Sequence, residues 1–250
     1  MPSDDRATPR ATPRAAPGAA RTSGAAADAT VAGTLAGTVA DARAAAAEPP
    51  LLRFDGVERA VHWCNAALFL VLMLTGAALY AGPLSVLVGN RETVRTVHVW
   101  CGLLLPVPFV LALLSRRGAR LRSDLRRLNR WEPGERRWFR RRHRVEVRLD
   151  KFNPGQKLNA ACIAGAGLVM LATGSIMHWF DAFPLDWRTG ATFAHDWFAF
   201  GIWLLVIGHV VFAVRDGDAL EAMMVNGRVP AAWARRRAPR WYDEMRDSSR

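Results

Sequence analysis

Cysteine is scarce in this sequence, and its three cysteines stand far apart at positions 64, 101 and 162. No two of them have the CxxC spacing that would hold a metal ion or an iron–sulfur cluster. Isolated cysteines inside apolar segments are usually small buried residues, so we expect Cys64, Cys101 and Cys162 to fill the core. The sequence therefore offers no cysteine-ligated centre.

Large apolar side chains are almost absent from residues 1–50, which consist mainly of Ala, Pro, Thr, Arg and Gly. This composition cannot bury a core, so it predicts a disordered cytoplasmic extension over residues 1–50. The segment also lacks the continuous apolar run of a secretory signal. We therefore expect the first membrane span to direct insertion.

Charged side chains are nearly missing from four apolar stretches, at residues 61–81, 94–114, 156–180 and 193–214. Each stretch is long enough to cross a bilayer. The pattern predicts an all-α membrane protein, a four-transmembrane-helix bundle over residues 51–215, in which Pro106 and Pro108 kink the second helix. Residues 216–250 are predicted to form a cytoplasmic C-terminal helix and tail.

Positive charge is concentrated in two places, although the net charge of the whole chain is +12. Arginines crowd the loop over residues 115–152 and the segment after the fourth span, whereas the other two connections hold few. By the positive-inside rule, both termini and the basic loop are cytoplasmic, which predicts a multi-pass protein of the cell (inner) membrane. The same placement argues against a nucleic-acid binder, which presents a basic patch to phosphate.

Two segments outside the spans have features of their own. Leucines at helical spacing within residues 121–128 favour an interfacial helix, and an arginine-rich loop that neutralises lipid headgroups is an equal alternative. After the fourth span, a helix is expected to end near Gly227. Trp233 and Trp241 are expected to anchor at the membrane interface or against a partner.

The six histidines are informative because four of them match in predicted depth. His62 opens the first span at its cytoplasmic end, and His98 opens the second near the outer face. In the fourth span, His195 lies at the outer end and His209 lies deeper toward the cytoplasm. These two are 14 residues apart, about 21 Å of helical rise and just under four turns, so they share one face.

Two histidines at each of two levels predict two b-type haems stacked across the membrane. Two imidazole nitrogens fill both axial positions of an iron and leave no site for oxygen or substrate, which suits electron transfer. Four-helix bundles hold cofactors on inward-projecting side chains. Small residues give the backbones room for a porphyrin, although they equally permit ordinary helix contacts. They are Gly76, Ala77, Ala78, Gly102, Gly165, Ala166, Gly174, Gly201 and Gly208.

Histidines near membrane-helix ends also have a simpler interpretation, because they often just meet the headgroup region. This explains His178 and, taken singly, His98 or His195. It explains His209 poorly, since an unpartnered imidazole inside an apolar run is costly. His178 remains a rival ligand at the outer level, and His143 in the basic loop is expected to be solvated.

Three separated motifs, "RFDGVERAVHW", "KFNPGQKLNA" and "RVPAAWARRRAPRWYDEM", together with the fourth helix, resemble the cytochrome b (gamma) subunit of membrane-bound formate dehydrogenase. The resemblance runs from about residue 52 to residue 245. It implies a subunit that does not itself oxidise formate. Such a subunit assembles with an iron–sulfur subunit and a molybdopterin catalytic subunit, as a higher oligomer in some cases, and transfers electrons to menaquinone or ubiquinone.

The same resemblance assigns the ligands. It implies that His62 and His209 bind the inner haem and that His98 and His195 bind the outer one. Electrons then enter at the outer face and leave to quinone near the cytoplasmic face, with cytoplasmic proton uptake.

The resemblance also implies a quinone pocket lined by Asn153, Gly155 and Gln156, with His209 at its edge. By itself the motif "NPGQK" is explained by helix capping, since Asn153 is a good N-cap and Pro154 a good first helical residue. Both interpretations stay open at this point.

Several alternatives share these features. The haem scaffold also suits a Ni–Fe hydrogenase or a thiosulfate-reductase-type complex. A small transporter with a histidine proton relay is another class, but the sequence lacks the charged midplane pair expected of many transporters. A haem-free membrane anchor is a further possibility.

Asp196 could orient His195, lie near the iron–sulfur entry point, or be a first-turn acid of its helix. Arg53 and Arg59 either pair with haem propionates or are solvated.

Overall fold

The computed structural model describes residues 48–81, 83–84, 89–140 and 148–248. Almost all of the predicted N-terminal extension, residues 1–47, lies outside the described residues, as does His143.

Twelve helices and strands follow one another in the described residues, and most of them are helical. In chain order they are β1 (Leu51–Leu52), α1 (Gly56–Tyr80), α2 (Arg91–Leu104), α3 (Val107–Leu114), α4 (Ala119–Asn129), α5 (Glu135–Arg140), α6 (Pro154–His178), α7 (Leu185–Val214), α8 (Gly217–Glu221), β2 (Arg228–Val229), α9 (Ala231–Arg237) and α10 (Pro239–Asp247). Short 3-10 turns cover Arg116–Gly118 and Phe180–Ala182, and a π-helical turn covers Ala222–Asn226.

Four spans in the structure are long and apolar enough to cross a membrane, namely α1, α2 together with α3, α6 and α7. The predicted four-span, all-helical fold is therefore confirmed. Helix α1 packs along α2, and α6 packs along α7. Few side chains of the spans are buried within the chain, as expected of helices whose outer faces meet lipid.

The span boundaries follow from local sequence signals. Asp55 caps α1 in a reciprocal capping box with Glu58, and Asn90 caps α2 by accepting from the backbone N–H of Thr93 at 3.1 Å. The second span breaks between α2 and α3 at Pro106, as predicted, because proline cannot supply the helical N–H. Helix α7 begins at Leu185, eight residues before the predicted start of the fourth span at residue 193.

A hydrophobic core lies at one end of the bundle, which we call the basic end; among the described residues it comprises 48–55, 115–140, 148–153 and 215–248. The predicted helix over residues 121–128 is present as α4, and its Leu128 packs against this core. Trp233 and Trp241 are 5% and 3% exposed within the same core. The prediction that these tryptophans anchor at the interface or against a partner is wrong, because both are buried in a core that includes Phe54 and Phe152 of the same chain.

The two short strands connect the segment before α1 to the segment that follows the last span. Leu51 pairs with Val229 and Leu52 pairs with Arg228 in an antiparallel ladder. Gly227, at φ +79°, ends the preceding helical segment as predicted. Its carbonyl accepts from the N–H groups of Arg53 and Phe54 at 2.8 and 3.0 Å. A Cβ at Gly227 would overlap the carbonyl oxygen of Phe54, so this close approach requires glycine.

A buried ion pair fastens α5 to the first turn of α6. Lys157 Nζ lies 2.6 Å from Glu135 Oε1, and the two side chains are 1% and 2% exposed. The same ammonium donates to the carbonyl oxygen of Arg130 at 2.6 Å. Buried charges are tolerated only when paired in this way.

A second buried cluster connects the basic loop to α1. Lys151 donates to Asp124 of α4 and lies 3.8 Å from Glu58 of α1. Burial lowers the pKa of Lys151, although the two carboxylates oppose this effect. Asp124 and Lys151 of this loop therefore belong to the folded basic end.

Arg53 and Arg59, considered as solvated positive-inside charges, are both held by the protein. Arg53 is 2% exposed, donates to the carbonyl of Lys151 at 3.1 Å, and stacks 4.4 Å from the ring centre of Trp233. Burial lowers the pKa of Arg53 to about 10. Arg59 donates to the carbonyl of Val225. The solvated interpretation is wrong for Arg53.

The cysteines do not fill the core. Cys64 and Cys162 are exposed on helix faces, and Cys101 is half-buried. That prediction is wrong because the spans bury little within this chain, so an apolar position on a span does not imply a buried one.

Candidate functional site

The four predicted ligand histidines meet in two pairs, which we name after their predicted orientation. In the inner pair, the rings of His62 on α1 and His209 on α7 have centres 6.4 Å apart and planes inclined by 42°. In the outer pair, the rings of His98 on α2 and His195 on α7 have centres 6.3 Å apart and planes inclined by 67°. The pairing is the one predicted from depth.

The two pairs lie in separate layers. His195 and His209 on α7 are 14 residues apart, which corresponds to about 21 Å of rise. Helix α1 gives a matching value, because Thr75, which contacts His98, follows His62 by 13 residues, or about 20 Å. Two helices therefore agree on the separation of the layers.

The ring separations fit an iron ion between each pair. An imidazole nitrogen lies about 2 Å from a bound metal ion and roughly 1 Å from its own ring centre, so two opposed ligands have centres about 6 Å apart. The observed 6.4 and 6.3 Å agree with this distance. Among the described residues, no group of three or more His, Cys, Asp or Glu side chains could hold a metal ion. Two opposed imidazoles match the two axial positions of a haem iron, whose other ligands a porphyrin supplies.

Threonine hydroxyls contact both histidines of the outer pair. Thr75 Oγ1 of α1 lies 2.8 Å from His98 Nδ1, and Thr173 Oγ1 of α6 lies 2.9 Å from His195 Nδ1. Sequence reasoning missed both threonines. The available signal was the dipeptide Thr-Gly, which occurs in the first and third spans 22 or 23 residues before a histidine of the next span.

Glycines follow both threonines and border the same rings. A Cβ at Gly76 would lie 3.3 Å from His98 Cε1, and a Cβ at Gly174 would lie 3.3 Å from His195 Cε1. Each imidazole edge therefore rests close to a helix backbone. Of the glycines proposed to make room for a cofactor, Gly76 and Gly174 are the ones whose Cβ position borders a candidate ligand histidine.

The inner pair has different surroundings. The Nδ1 atom of His62 is buried and has no hydrogen-bond partner among the described residues. Two neighbours of His62 on α1 are fixed instead by the π-helical turn near the C-terminus. Arg59 donates to the carbonyl of Val225, and Trp63 Nε1 donates to the carbonyl of Met224 at 3.2 Å. The basic end thus positions this part of α1.

The other polar candidates at the outer level are not part of the pair. His178 is exposed, and its ring contacts Trp179 with centres 5.1 Å apart. Asp196 is exposed and is not a first-turn acid, because α7 begins at Leu185. The partner of the His195 Nδ1 atom is Thr173 rather than Asp196.

The motif "NPGQK" begins α6 with a complete capping box. Asn153 Oδ1 accepts from the backbone N–H of Gln156 at 2.9 Å. Gln156 Oε1 accepts from the backbone N–H of Asn153 at 3.0 Å. Gly155 lies beneath Trp138, whose ring would be 3.4 Å from a Cβ. Capping therefore uses both amide oxygens and leaves the amide NH2 groups as donors.

The capping motif is close in depth to the inner pair. Thr173 marks the outer level on α6, so the inner level falls about 14 residues earlier, near Asn159. Gln156 is one helical turn nearer the basic end. By this count of helical rise, Gln156 in the first turn of α6 lies about one turn from the level of the inner pair.

Comparison with known proteins gives one family and several relatives. The family described as prokaryotic cytochrome b561 matches residues 53–226. The chain is 26% identical over 202 residues to the formate dehydrogenase cytochrome b556 subunit of Haemophilus influenzae, covering 78% of this chain and 83% of the relative. It is 23% identical over 216 residues to the formate dehydrogenase cytochrome b556(fdo) subunit of Escherichia coli K12, covering 80% and 95%. The nitrate-inducible cytochrome b556(Fdn) subunit of the same organism is 23% identical over 205 residues, covering 78% and 91%.

Proposed function

Because the chain belongs to the prokaryotic cytochrome b561 family, we propose that it is a dihaem electron-transfer subunit of a membrane-bound formate dehydrogenase. It accepts electrons from an iron–sulfur subunit at the outer face and delivers them to quinone near the cytoplasmic face. The observation that carries this proposal is the presence of two histidine pairs at iron-spanning distance in two layers. The resemblance of the chain to several formate dehydrogenase cytochrome b556 subunits supports the choice of complex.

The four histidines are the axial ligands in this proposal. His62 and His209 hold one haem b, and His98 and His195 hold the other. A haem with two axial imidazoles exchanges single electrons and has no open position for oxygen or substrate. Because α7 carries one ligand of each pair, a single rigid helix fixes the distance between the two sites.

The separation of the layers suits transfer across a bilayer. About 20 Å along α1 or α7 covers most of a hydrocarbon core roughly 30 Å thick. The outer pair is therefore close to an iron–sulfur partner on one side, and the inner pair is close to the arginine-rich basic end on the other. The positive-inside rule supports a cytoplasmic location for the basic end and for both termini.

The quinone site in this proposal lies at the start of α6. Asn153, Gly155 and Gln156 line it, and His209 is at its edge. The amide NH2 groups that the capping box leaves available donate to a quinone carbonyl, which can only accept hydrogen bonds. Reduction there takes up protons from the cytoplasm and contributes to a proton-motive force.

A spectroscopic experiment tests the haem content directly. The protein is purified from membranes, its reduced-minus-oxidised optical spectrum is recorded, and its haem is counted as the pyridine haemochrome. We expect a b-type spectrum and two haems per chain. Absence of haem contradicts the proposal, and one haem per chain removes one histidine pair from it.

Isolation of the intact complex tests the partner. We expect the chain to co-purify with an iron–sulfur subunit and a molybdopterin subunit that together reduce the haem when formate is added. Reduction by hydrogen and not by formate would assign the chain to a hydrogenase instead.

A further inference from the structure

The two outer histidines have the same hydrogen-bond environment, built twice by different helices. Thr75 Oγ1 lies 2.7 Å from the carbonyl oxygen of Val71, four residues earlier in α1. Thr173 Oγ1 lies 2.7 Å from the carbonyl oxygen of Val169, four residues earlier in α6. Each hydroxyl is also within 2.9 Å of a histidine Nδ1. The arrangement therefore recurs in both hairpins of the bundle.

Counting protons assigns the tautomer of each histidine. A threonine hydroxyl has one proton, and a carbonyl oxygen can only accept. Because the hydroxyl is used as a donor to the helix carbonyl, it must accept from the Nδ1–H of the imidazole. A neutral imidazole with a proton on Nδ1 has its free lone pair on Nε2. Both outer histidines are thus prepared to bind iron through Nε2.

The adjacent glycines limit the remaining freedom of each ring. With Cε1 so close to the backbone at Gly76 or Gly174 that a Cβ would lie 3.3 Å away, the imidazole cannot move closer to that helix. The hydroxyl and the glycine come from one helix, and the histidine comes from the next. Each Thr-Gly pair therefore fixes both the rotation and the position of a ring on a neighbouring helix.

The inner pair lacks this arrangement. The Nδ1 atom of His62 is buried and has no partner within the part of the chain that the structure describes. A hydrogen bond from Nδ1–H to an acceptor makes the opposite nitrogen a stronger electron donor, which favours the oxidised metal. This influence acts on the outer pair through two threonines.

We propose that Thr75 and Thr173 are positioning residues of the outer haem site, which hold His98 and His195 in the iron-binding tautomer and lower the reduction potential of that site. This inference rests on the proposed function, since it presumes haem between the histidines. It assigns to the two Thr-Gly dipeptides a role that differs from helix packing.

Replacement by valine and by serine tests this role in the full-length chain in membranes. Thr75→Val and Thr173→Val keep the shape of the side chain and remove the hydroxyl, whereas Thr75→Ser and Thr173→Ser keep the hydroxyl. The readouts are a potentiometric titration of both haems, the low-spin EPR signals of the ferric protein, and the haemochrome count. Thr192→Val is the matched control, because Thr192 Oγ1 makes the same bond to a carbonyl four residues earlier, at 2.9 Å, and is exposed.

We expect each valine variant to raise the potential and change the EPR signal of the outer haem, with a larger change in the double variant. The potential and EPR signal of the inner haem should not change in any variant. The Thr192→Val control and the serine variants should have the potentials and EPR signals of the wild type. Loss of the outer haem from the valine variants with retention in the serine variants also supports the inference. Residues that hydrogen-bond a metal-binding histidine contribute roughly 10- to 100-fold to metal affinity.

Two results overturn the inference. The first is a double valine variant whose two potentials and EPR signals equal those of the wild type. The second is a pair of serine variants that change as much as the valine variants. Wild-type protein without haem contradicts the proposed function instead, so the two failures are distinguishable.

Discussion

The outer and inner histidine pairs share helix α7 and nearly the same ring separation, but different parts of the molecule support them. The outer pair is held within the spans by Thr75 and Thr173. The inner pair has a buried Nδ1 without a described partner, and the α1 residues beside His62 are bound to the segment after the last span. One site thus depends on contacts between helices, and the other depends on the folding of the basic end.

The largest expected effect is the loss of one haem when a predicted ligand of one site is removed. His209→Ala should reduce the haem count from two to one and abolish quinone reduction, because an iron that loses an axial ligand is no longer held at that level. His98→Ala should instead remove the outer haem and leave the inner spectrum intact. Haemochrome counts and spectra check both outcomes. A His209→Ala protein with two normal haems would show that the ligand assignment is wrong.

The next effect concerns the basic end alone. Lys157→Met leaves Glu135 buried without its partner, and breaking a buried ion pair costs about 3–5 kcal/mol. Thermal unfolding of the purified protein should occur at lower temperature, and the inner haem should be lost before the outer one. The double variant Lys157→Met/Glu135→Leu removes both charges and should recover most of the stability. Simultaneous loss of both haems would show that the outer site depends on the basic end as much as the inner site does.

A smaller effect is expected at the outer site from a single methyl group. Gly174→Ala places a Cβ about 3.3 Å from His195 Cε1, so the ring must move by a few tenths of an ångström. We expect weaker retention of the outer haem and a changed EPR signal, with the inner haem unaffected. Gly167→Ala is the control on the same helix, because nothing lies within 4 Å of its Cβ position. Equal behaviour of the two variants would mean that Gly174 matters only for helix propensity.

The smallest effect distinguishes capping from quinone binding at the start of α6. Asn153→Asp keeps an N-cap oxygen and removes the NH2 donor, whereas Asn153→Ala removes both and should cost about 1 kcal/mol of stability. If the NH2 group binds quinone, the aspartate variant should have normal thermal stability and a raised KM for quinone. A normal KM in the aspartate variant, with lowered stability in the alanine variant, would leave Asn153 as a cap only.

The spans and the histidine pairing were predictable because each depends on a strong periodic signal. Four uncharged runs define four membrane helices, and a spacing of 14 residues puts His195 and His209 on one face. The break at Pro106 and the N-cap at Asn153 were predictable for a different reason, since each follows from the chemistry of one residue. Helix α7 begins earlier than predicted because its polar first turns lie outside the apolar run that marks the span.

The supporting residues could not be predicted because they act between elements distant in sequence. A threonine on a membrane helix ordinarily bonds its own backbone, so the Thr-Gly dipeptides at Thr75 and Thr173 were too weak a signal to indicate a partner on the next helix. Trp233 and Trp241 have the composition of interface anchors, and only the tertiary fold shows that they form a core with Phe54. Single-residue patterns do not record such long-range packing.

Helix α7 has a consequence for assembly, because it completes both histidine pairs. It follows the other three described spans in the chain, and a chain that ends before Leu185 contains His62 and His98 but neither partner. Neither complete pair exists until the fourth helix has entered the membrane. On the proposed ligand assignment, haem can meet both histidines of a pair only after α7 has been inserted, so the two sites become available in the same step of biogenesis.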